Sequence, residues 1–184
     1  MASKRLILAL YLLLWTAVSL CSCGNDISEI KAITDPQQLP VQTNHKAEFV
    51  YTESGKLRNK LIAETLERYE GADSYLLAKD GFTMIFYDST ETEEARLTAI
   101  NGRYDQEKNH LVAWEKVELL NVKGEKLETE ELVFAQDSGR IYTDKFVTIT
   151  SASGVLFGDG LESNDSFTRY HILRPHGDLY VKEK

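Results

Sequence analysis

The chain has 184 residues, 42% of them hydrophobic and 27% charged, which is the composition of a globular protein and not of a disordered one. The formal net charge is −8, and removing residues 1–22 would take away two positive charges and no acid. This balance argues against nucleic acid as a partner, because phosphate binding needs a basic face. Both cysteines lie within the first 23 residues, so the rest of the chain has neither a disulfide framework nor a cysteine metal site.

The N-terminal segment has the pattern of an export signal. Met1–Arg5 carries two positive charges, and Leu6–Leu20 is an almost unbroken apolar run. About 15 residues are few for a helix that has to cross a hydrocarbon core about 30 Å thick. We therefore predict a signal peptide over residues 1–22; the alternative is an uncleaved signal anchor.

The end of this run, Leu20-Cys21-Ser22-Cys23, resembles the bacterial lipobox, in which the cysteine is acylated and becomes the first residue of the mature chain. Cys23 fits because a small residue precedes it and Leu20 stands three positions before it, whereas Leu20 directly precedes Cys21. The resemblance implies lipidation of Cys23, palmitate included, and acyl chains attach a protein stably to a membrane surface. Residues 23–45 are polar and lack periodicity, which predicts a tether.

From residue 46 to residue 184 the sequence predicts one all-β domain. Turn signals recur, and the runs between them are rich in β-branched and aromatic residues, which favours a sandwich or barrel-like fold. Asp80-Gly81, between two apolar runs, predicts a two-residue hairpin turn. The turn signals are Glu53–Lys56, Asp80-Gly81, Asn101-Gly102, Lys123-Gly124, Asp137–Gly139, Asp159-Gly160 and His176-Gly177.

Two features leave alternatives open. The apolar residues of Leu57–Tyr69 fit a helical stripe as well as a strand. A shift of 30 residues places Leu97 on Leu127 and Leu111 on Ile141, which predicts two strand–turn–strand repeats, although any β meander has some self-similarity.

The stretch from Leu97 to Tyr180 resembles a known family. Its central run contains Thr129-Glu130-Glu131-Leu132 and Ile141-Tyr142-Thr143-Asp144, followed by Gly158-x-Gly160-Leu161 and Phe167-x-x-Tyr170. These segments, in this order, are similar to those of the LptC family. Members of that family have an OstA-like β domain and act as a periplasmic bridge component of lipopolysaccharide export. Residues 61–69 resemble the first long strand of that family, which favours a strand there.

Two departures from the family pattern stand out. Where the family commonly has Gly-Asn-Val, this chain has Glu115-Lys116-Val117. Better-known members also keep an uncleaved transmembrane helix, whereas this chain has a lipoprotein-type N-terminus, which puts in doubt any contact that such a helix makes with a transporter.

The resemblance implies an open, two-sheet antiparallel β-jelly-roll, a V-shaped β-taco trough with an apolar interior. It implies a protein without enzymatic activity or cofactor, on the periplasmic face of the inner membrane. Lipopolysaccharide would pass from an inner-membrane ABC transporter through the trough to a downstream periplasmic β-bridge protein. The alternative is an envelope lipoprotein with a closed β-sandwich that binds carbohydrate or protein, and a carrier of single lipids is a further rival.

Alternating strands give one apolar and one polar face, so the inward residues are candidates for lining the trough, or else simply form a closed core. The candidate lining residues are Ala63, Phe82, Met84, Phe86, Ala99, Leu111, Ala113, Val117, Leu119, Thr129, Phe134, Thr143, Val147 and Ile149.

Open sheets leave unpaired edges, which invite strand addition by a partner. Residues 178–181 (Asp178, Leu179, Tyr180 and Val181) are predicted to form an edge for the downstream module, and strands near Ala47–Tyr51 would face the transporter. The residues with catalytic or metal-binding side chains lack the required spacing. They are His45, His110, His171 and His176, and the acidic group Glu91, Glu93 and Glu94, which we expect in a solvated hairpin loop.

Overall fold

The computed structural model describes residues 39–71 and 73–176, and these form an all-β domain, as predicted. The strands are β1 (Gln42–Glu53), β2 (Lys56–Tyr69), β3 (Tyr75–Tyr87), β4 (Glu93–Ala99), β5 (Asn101–Asp105), β6 (His110–Asn121), β7 (Lys126–Ala135), β8 (Arg140–Ser151), β9 (Gly154–Asn164), β10 (Tyr170–Ile172) and β11 (Pro175–His176). A 3-10 turn, Gln136–Ser138, connects β7 to β8.

All strand pairs are antiparallel, and the sheet follows the order β1-β2-β3-β4-β6-β7-β8-β9-β10. The short β5 lies beside β3 and β6, and β11 lies beside β9. Leu57–Tyr69 lies in β2, so the strand interpretation of this segment is confirmed and the helical one is wrong. β2 has 14 residues, well above the usual length of about five or six, and such long strands need a bend to enclose a core.

A row of backbone irregularities crosses the sheet, and we call it the bend line. It consists of Asp80-Gly81 in β3, Ile100 between β4 and β5, Glu115-Lys116 in β6, Asp144-Lys145 in β8 and Gly160 in β9. The Gly81 amide donates to the Ile100 carbonyl and the Ile100 amide to the Glu115 carbonyl, both at 2.9 Å, so hydrogen bonding continues across the bend. Each bulge sharpens the twist, and together they fold the sheet into two facing halves.

The facing halves are evident from contacts between strands that are not neighbours. Phe86 of β3 and Phe134 of β7 meet edge to face, with 5.0 Å between ring centroids, although β4 and β6 separate their strands in the sheet order. One continuous cluster of buried apolar side chains fills most of the space between the halves. Inward positions of the strands therefore serve one shared core.

The bend line corrects three sequence predictions. The predicted Asp80-Gly81 hairpin is wrong, because β3 runs through both residues, which have φ of +65° and +111°. Asn101-Gly102 lies in β5 and Asp159-Gly160 lies in β9, so these pairs are not turns either. A left-handed backbone pair fits a bulge as well as a hairpin turn, and the pattern alone did not distinguish them.

The predicted 30-residue shift relates two strands in the structure. β6 spans residues 110–121 and β8 spans residues 140–151, so their bounds coincide after the shift. Both strands cross the bend line, and each is preceded by a hairpin partner. The repeated unit is therefore a bent hairpin.

The N-terminal predictions lie largely outside the described residues. This holds for the signal peptide, for the lipidated Cys23 and for the tether as far as residue 38. β1 already begins at Gln42, so the domain starts four residues before the predicted boundary at residue 46. In the part that the structure describes, no helix has the length and apolar character needed to cross a membrane.

Candidate functional site

An apolar cavity of about 210 Å³ opens between the facing halves beside β1. Leu61 and Met84 line it from one half, and Leu76 and Leu111 line it from the other. Phe49, on the same face of β1 as the buried Ala47, completes the wall but remains 47% exposed. The space between the halves is thus accessible at the β1 side.

A polar cavity of about 420 Å³ adjoins the apolar one, and the two share Tyr51, Asn59 and Gln136. Arg58 and Arg169 also line the polar cavity, from opposite sides of the gap. The carboxylates of Glu53, Asp137 and Asp165 lie there as well, so its lining is of mixed charge. An apolar compartment therefore continues directly into a polar one, which suits an amphiphilic ligand.

Hydrogen bonds hold the side chains between the two cavities. The Tyr104 hydroxyl lies 2.9 Å from Asn109 Oδ1 and 3.2 Å from Gln136 Oε1. Asn109 Nδ2 in turn donates to Asp137 Oδ1 at 3.0 Å. Burial raises the pKa of Tyr104, with a smaller contribution from Tyr51, which favours the neutral phenol that donates in this network.

The gap is closed elsewhere by residues 165–169 between β9 and β10, which we call the strap. Phe167 of the strap is fully buried in the core cluster, and its ring stacks on Tyr170 with 4.9 Å between centroids. The strap is shaped internally by Asn164, whose Oδ1 accepts hydrogen bonds from the amides of Thr168 and Arg169 at 3.1 and 2.8 Å. A loop thus places an aromatic ring between the two halves.

The strap is attached to the β6–β7 turn. Asn121, 4% exposed, donates from Nδ2 to the Phe167 carbonyl and to Glu125 Oε2, both at 2.7 Å. Its Oδ1 accepts the amides of Lys123 and Glu125 at 2.9 and 3.0 Å. The Tyr170 hydroxyl donates to Glu125 Oε1 at 3.3 Å, and burial followed by Glu125 raises the pKa of this phenol. The strap therefore connects the two halves across the gap.

These features have a counterpart among known proteins. The sequence matches the family described as "Lipopolysaccharide-assembly, LptC-related" over residues 6–174, which is most of the chain. The chain belongs to this LptC-related family. Membership makes it a component of lipopolysaccharide transport on the periplasmic side of the envelope, one that binds lipopolysaccharide and associates with the transport machinery. No curated protein matches the chain.

Most of the predicted lining residues of this LptC-related chain come together in the core. Thirteen of the fourteen are buried, and the exception, Thr129, is half-buried and donates from its hydroxyl to the Phe146 carbonyl at 2.9 Å. Met84 and Leu111 border the apolar cavity, and Phe134 borders the polar one. The residues predicted as lining therefore face the gap, but most of them pack against one another. The buried thirteen are Ala63, Phe82, Met84, Phe86, Ala99, Leu111, Ala113, Val117, Leu119, Phe134, Thr143, Val147 and Ile149.

The candidate lining set omitted the residues that form the opening. Phe49 and Tyr51 alternate with Ala47 on the inner face of β1, and Tyr104 and Gln136 stand opposite them. The available signal is that large aromatic side chains alternate with Ala47 on the first strand, which among the described residues pairs on one side only. Phe167 was noted as part of a motif, but nothing local predicted that a loop residue would be buried.

Of the two predicted sheet edges, the structure describes the one at β1 and not the one at residues 178–181. Within residues 39–71 and 73–176, β1 pairs with β2 alone, so its other side is an unpaired edge. The predicted edge at Asp178–Val181 lies outside the described residues. At the opposite end of the sheet, β9 is paired with the short strands β10 and β11 over parts of its length.

The histidines and acidic residues considered in the sequence analysis lie in hydrogen bonds, strands or loops of the fold. His176 Nε2 lies 2.7 Å from Asp159 Oδ2, and His45 Nδ1 lies 3.4 Å from the Thr65 hydroxyl. Glu93 and Glu94 belong to β4 and not to a hairpin loop, and burial followed by Asp165 raises the pKa of Glu94. In the described range, no three His, Cys, Asp or Glu side chains stand close enough to hold a metal ion.

Proposed function

We propose that this LptC-related chain is a non-enzymatic carrier that holds the acyl chains of lipopolysaccharide between the halves of its bent sheet. It receives the lipid from an inner-membrane ABC transporter and passes it to the next periplasmic β module. The observation that supports this role most directly is the apolar cavity beside β1, which continues into a polar cavity through Tyr51, Asn59 and Gln136.

The energetics favour such a compartment. Each methylene group exposed to water costs about 0.8 kcal/mol, so an acyl chain in transit needs an apolar surface. Leu61, Leu76 and Met84 supply such a surface, while the polar side chains at the rim suit the phosphate and sugar of the same molecule. The joined cavities thus match an amphiphile better than a free sugar or a hydrocarbon.

Site-specific photo-crosslinking in living cells tests this role. A photoreactive residue at Leu111, which borders the cavity, should capture lipopolysaccharide. The same residue at Val112, the next position of β6 and on its outer face, is the matched control and should capture little. Equal capture at both positions, or none at Leu111, would contradict the proposal.

Partner contacts are proposed at the sheet edges. The unpaired side of β1 offers backbone donors and acceptors over Gln42–Glu53 for strand addition on the transporter side. Residues 178–181 (Asp178, Leu179, Tyr180 and Val181) are proposed as the edge for the downstream module. Deleting residues 178–184 should then abolish co-purification of that module, and undiminished binding would refute this part of the proposal.

The proposed membrane attachment is through Cys23. A Cys23→Ser chain should lose its acyl groups in mass spectrometry and leave the membrane fraction, whereas Cys21→Ser should keep both properties. Loss of acylation in the Cys21 variant instead would assign the anchor to the other cysteine. Persistence of both chains in the membrane without acylation would favour an uncleaved signal anchor.

One observation favours a second candidate, an envelope lipoprotein that binds carbohydrate or protein on its surface. Phe146 and Phe157 stack on the outer face of β8 and β9 with 6.1 Å between centroids, and they remain 53% and 37% exposed. The packed core fits this alternative as well. Titration with the polysaccharide released from lipopolysaccharide discriminates the two, because Phe146→Ala should abolish binding only if the outer face is the binding surface.

A further inference from the structure

The apolar cavity is small for the cargo proposed. At about 210 Å³ it lies below the range of roughly 300–1,000 Å³ that is typical of ligand pockets. The rest of the apolar gap is filled by the protein's own side chains. A lipid with several acyl chains therefore needs additional apolar space, and the protein has to provide it by moving a side chain that now occupies that space.

Phe167 is the side chain best placed to move. It is fully buried, yet it belongs to a five-residue loop and not to a strand. Its φ is +51°, in the left-handed region, which is strained for an aromatic residue. The other large buried side chains, such as Leu119 and Ile149, lie in long paired strands and have no comparable freedom.

Apart from the burial of the Phe167 ring, side-chain hydrogen bonds from the β6–β7 turn hold the strap in its closed position. On the β6–β7 turn, the Asn121 amide holds the Phe167 carbonyl and the Glu125 carboxylate holds the Tyr170 hydroxyl. The strand that follows the strap, β10, has only three residues. The closed strap also holds the Asp165 carboxylate near Glu94, whose pKa is raised by burial first and by Asp165 second. Local opening therefore costs much less than unfolding of the sheet.

We propose that the space occupied by the Phe167 ring is an acyl-chain subsite, and that the strap is the latch that fills it while no lipid is bound. An acyl chain entering from the β1 side replaces the ring, so the apolar walls of the subsite stay covered and the strained φ of Phe167 is released. This inference rests on the proposed function. It predicts that the lipid-free chain is closed on the β9 side and that lipopolysaccharide itself opens it.

Fluorine NMR on the full chain in lipid nanodiscs tests the latch. 4-Fluorophenylalanine replaces Phe167 in one sample and Phe134, buried in β7 beside the polar cavity, in the matched control. We expect added lipopolysaccharide to make the label at 167 accessible to a soluble paramagnetic chelate. The label at 134 should shift but stay protected.

The outcomes separate the two proposals. A shift at 134 with a protected label at 167 overturns the latch and leaves the proposed function standing. No change at either position overturns both. Exposure at both positions indicates general unfolding by the lipid and also overturns the latch.

A variant that keeps the core intact gives a second measurement. Tyr170→Phe removes the hydrogen bond to Glu125 and retains the ring that stacks on Phe167. Weakening the closed state raises the population that can bind, so the apparent affinity for lipopolysaccharide should rise about threefold to tenfold. A strap with a purely structural role predicts unchanged or weaker binding, and that result would overturn the latch.

Discussion

Replacing Lys116 by glycine should stabilise the protein, because the bend line forces this residue into a left-handed backbone conformation. Its φ is +54°, which costs an L-residue about 1–2 kcal/mol. Glycine avoids this strain but loses about 0.5–1 kcal/mol through the greater entropy of the unfolded chain. The expected net gain is the difference between these two terms, about 0.5–1 kcal/mol. Lys116 is exposed, so little packing is lost.

The assay is urea unfolding of Lys116→Gly and of Glu118→Gly, a matched control two residues along the same strand. Glu118 is also exposed but is not among the residues with positive φ, so glycine there should cost about 0.5–1 kcal/mol. Glu115 is the less suitable target, since its carboxylate accepts a hydrogen bond from Asn101 Nδ2 at 3.0 Å. If both glycine variants lose stability equally, the strain argument is refuted.

Three further predictions concern the core, the strap and the pH dependence. Asn121→Ala should lower the free energy of unfolding, measured by urea titration, by about 2 kcal/mol, because it leaves buried polar groups without partners. Burial, followed by Glu67, raises the pKa of Tyr69 from about 10 to about 12. The folded state therefore holds this proton more tightly, stability should fall between pH 10 and 12, and Tyr69→Phe should flatten that fall. Gly102→Ala should cost about 1–3 kcal/mol, because a methyl group there would come within 2.6 Å of the Phe82 ring; the loss should be smaller in a Phe82→Leu background.

The architecture could be predicted because alternation is a local property. Alternation predicts which residues of β6 point inward, and four of them are buried: Leu111, Ala113, Val117 and Leu119. The apolar residues of the β2 segment fit both a helical and a strand period, and the resemblance alone favours a strand there. Its pairing with β1 and β3 over most of its length explains why the strand is formed.

A hairpin turn reverses the chain after the glycine, whereas a bend lets the strand continue in the same sheet. Which of the two forms is not decided by the local sequence. Asp80-Gly81 has the left-handed conformation that a hairpin turn also uses. Here residues on both sides of the pair continue along β2, so the chain bends without reversing. Whether Asp80-Gly81 forms a bend or a turn depends on how β3 pairs with β2. The paired residues of these two strands are up to 27 positions apart in the sequence.

The candidate site was harder to predict than the core, because a packed interior and a lipid trough require the same alternating pattern. Leu111 borders an open cavity and Val147 is sealed, yet both are inward aliphatic residues on bent strands. The difference comes from the neighbours across the gap: β1 ends the sheet near Leu111, whereas Phe167 of the strap joins the packed cluster to which Val147 belongs. Under the proposed function, lipid therefore enters first beside β1, and further occupancy of the gap depends on the proposed opening of the strap.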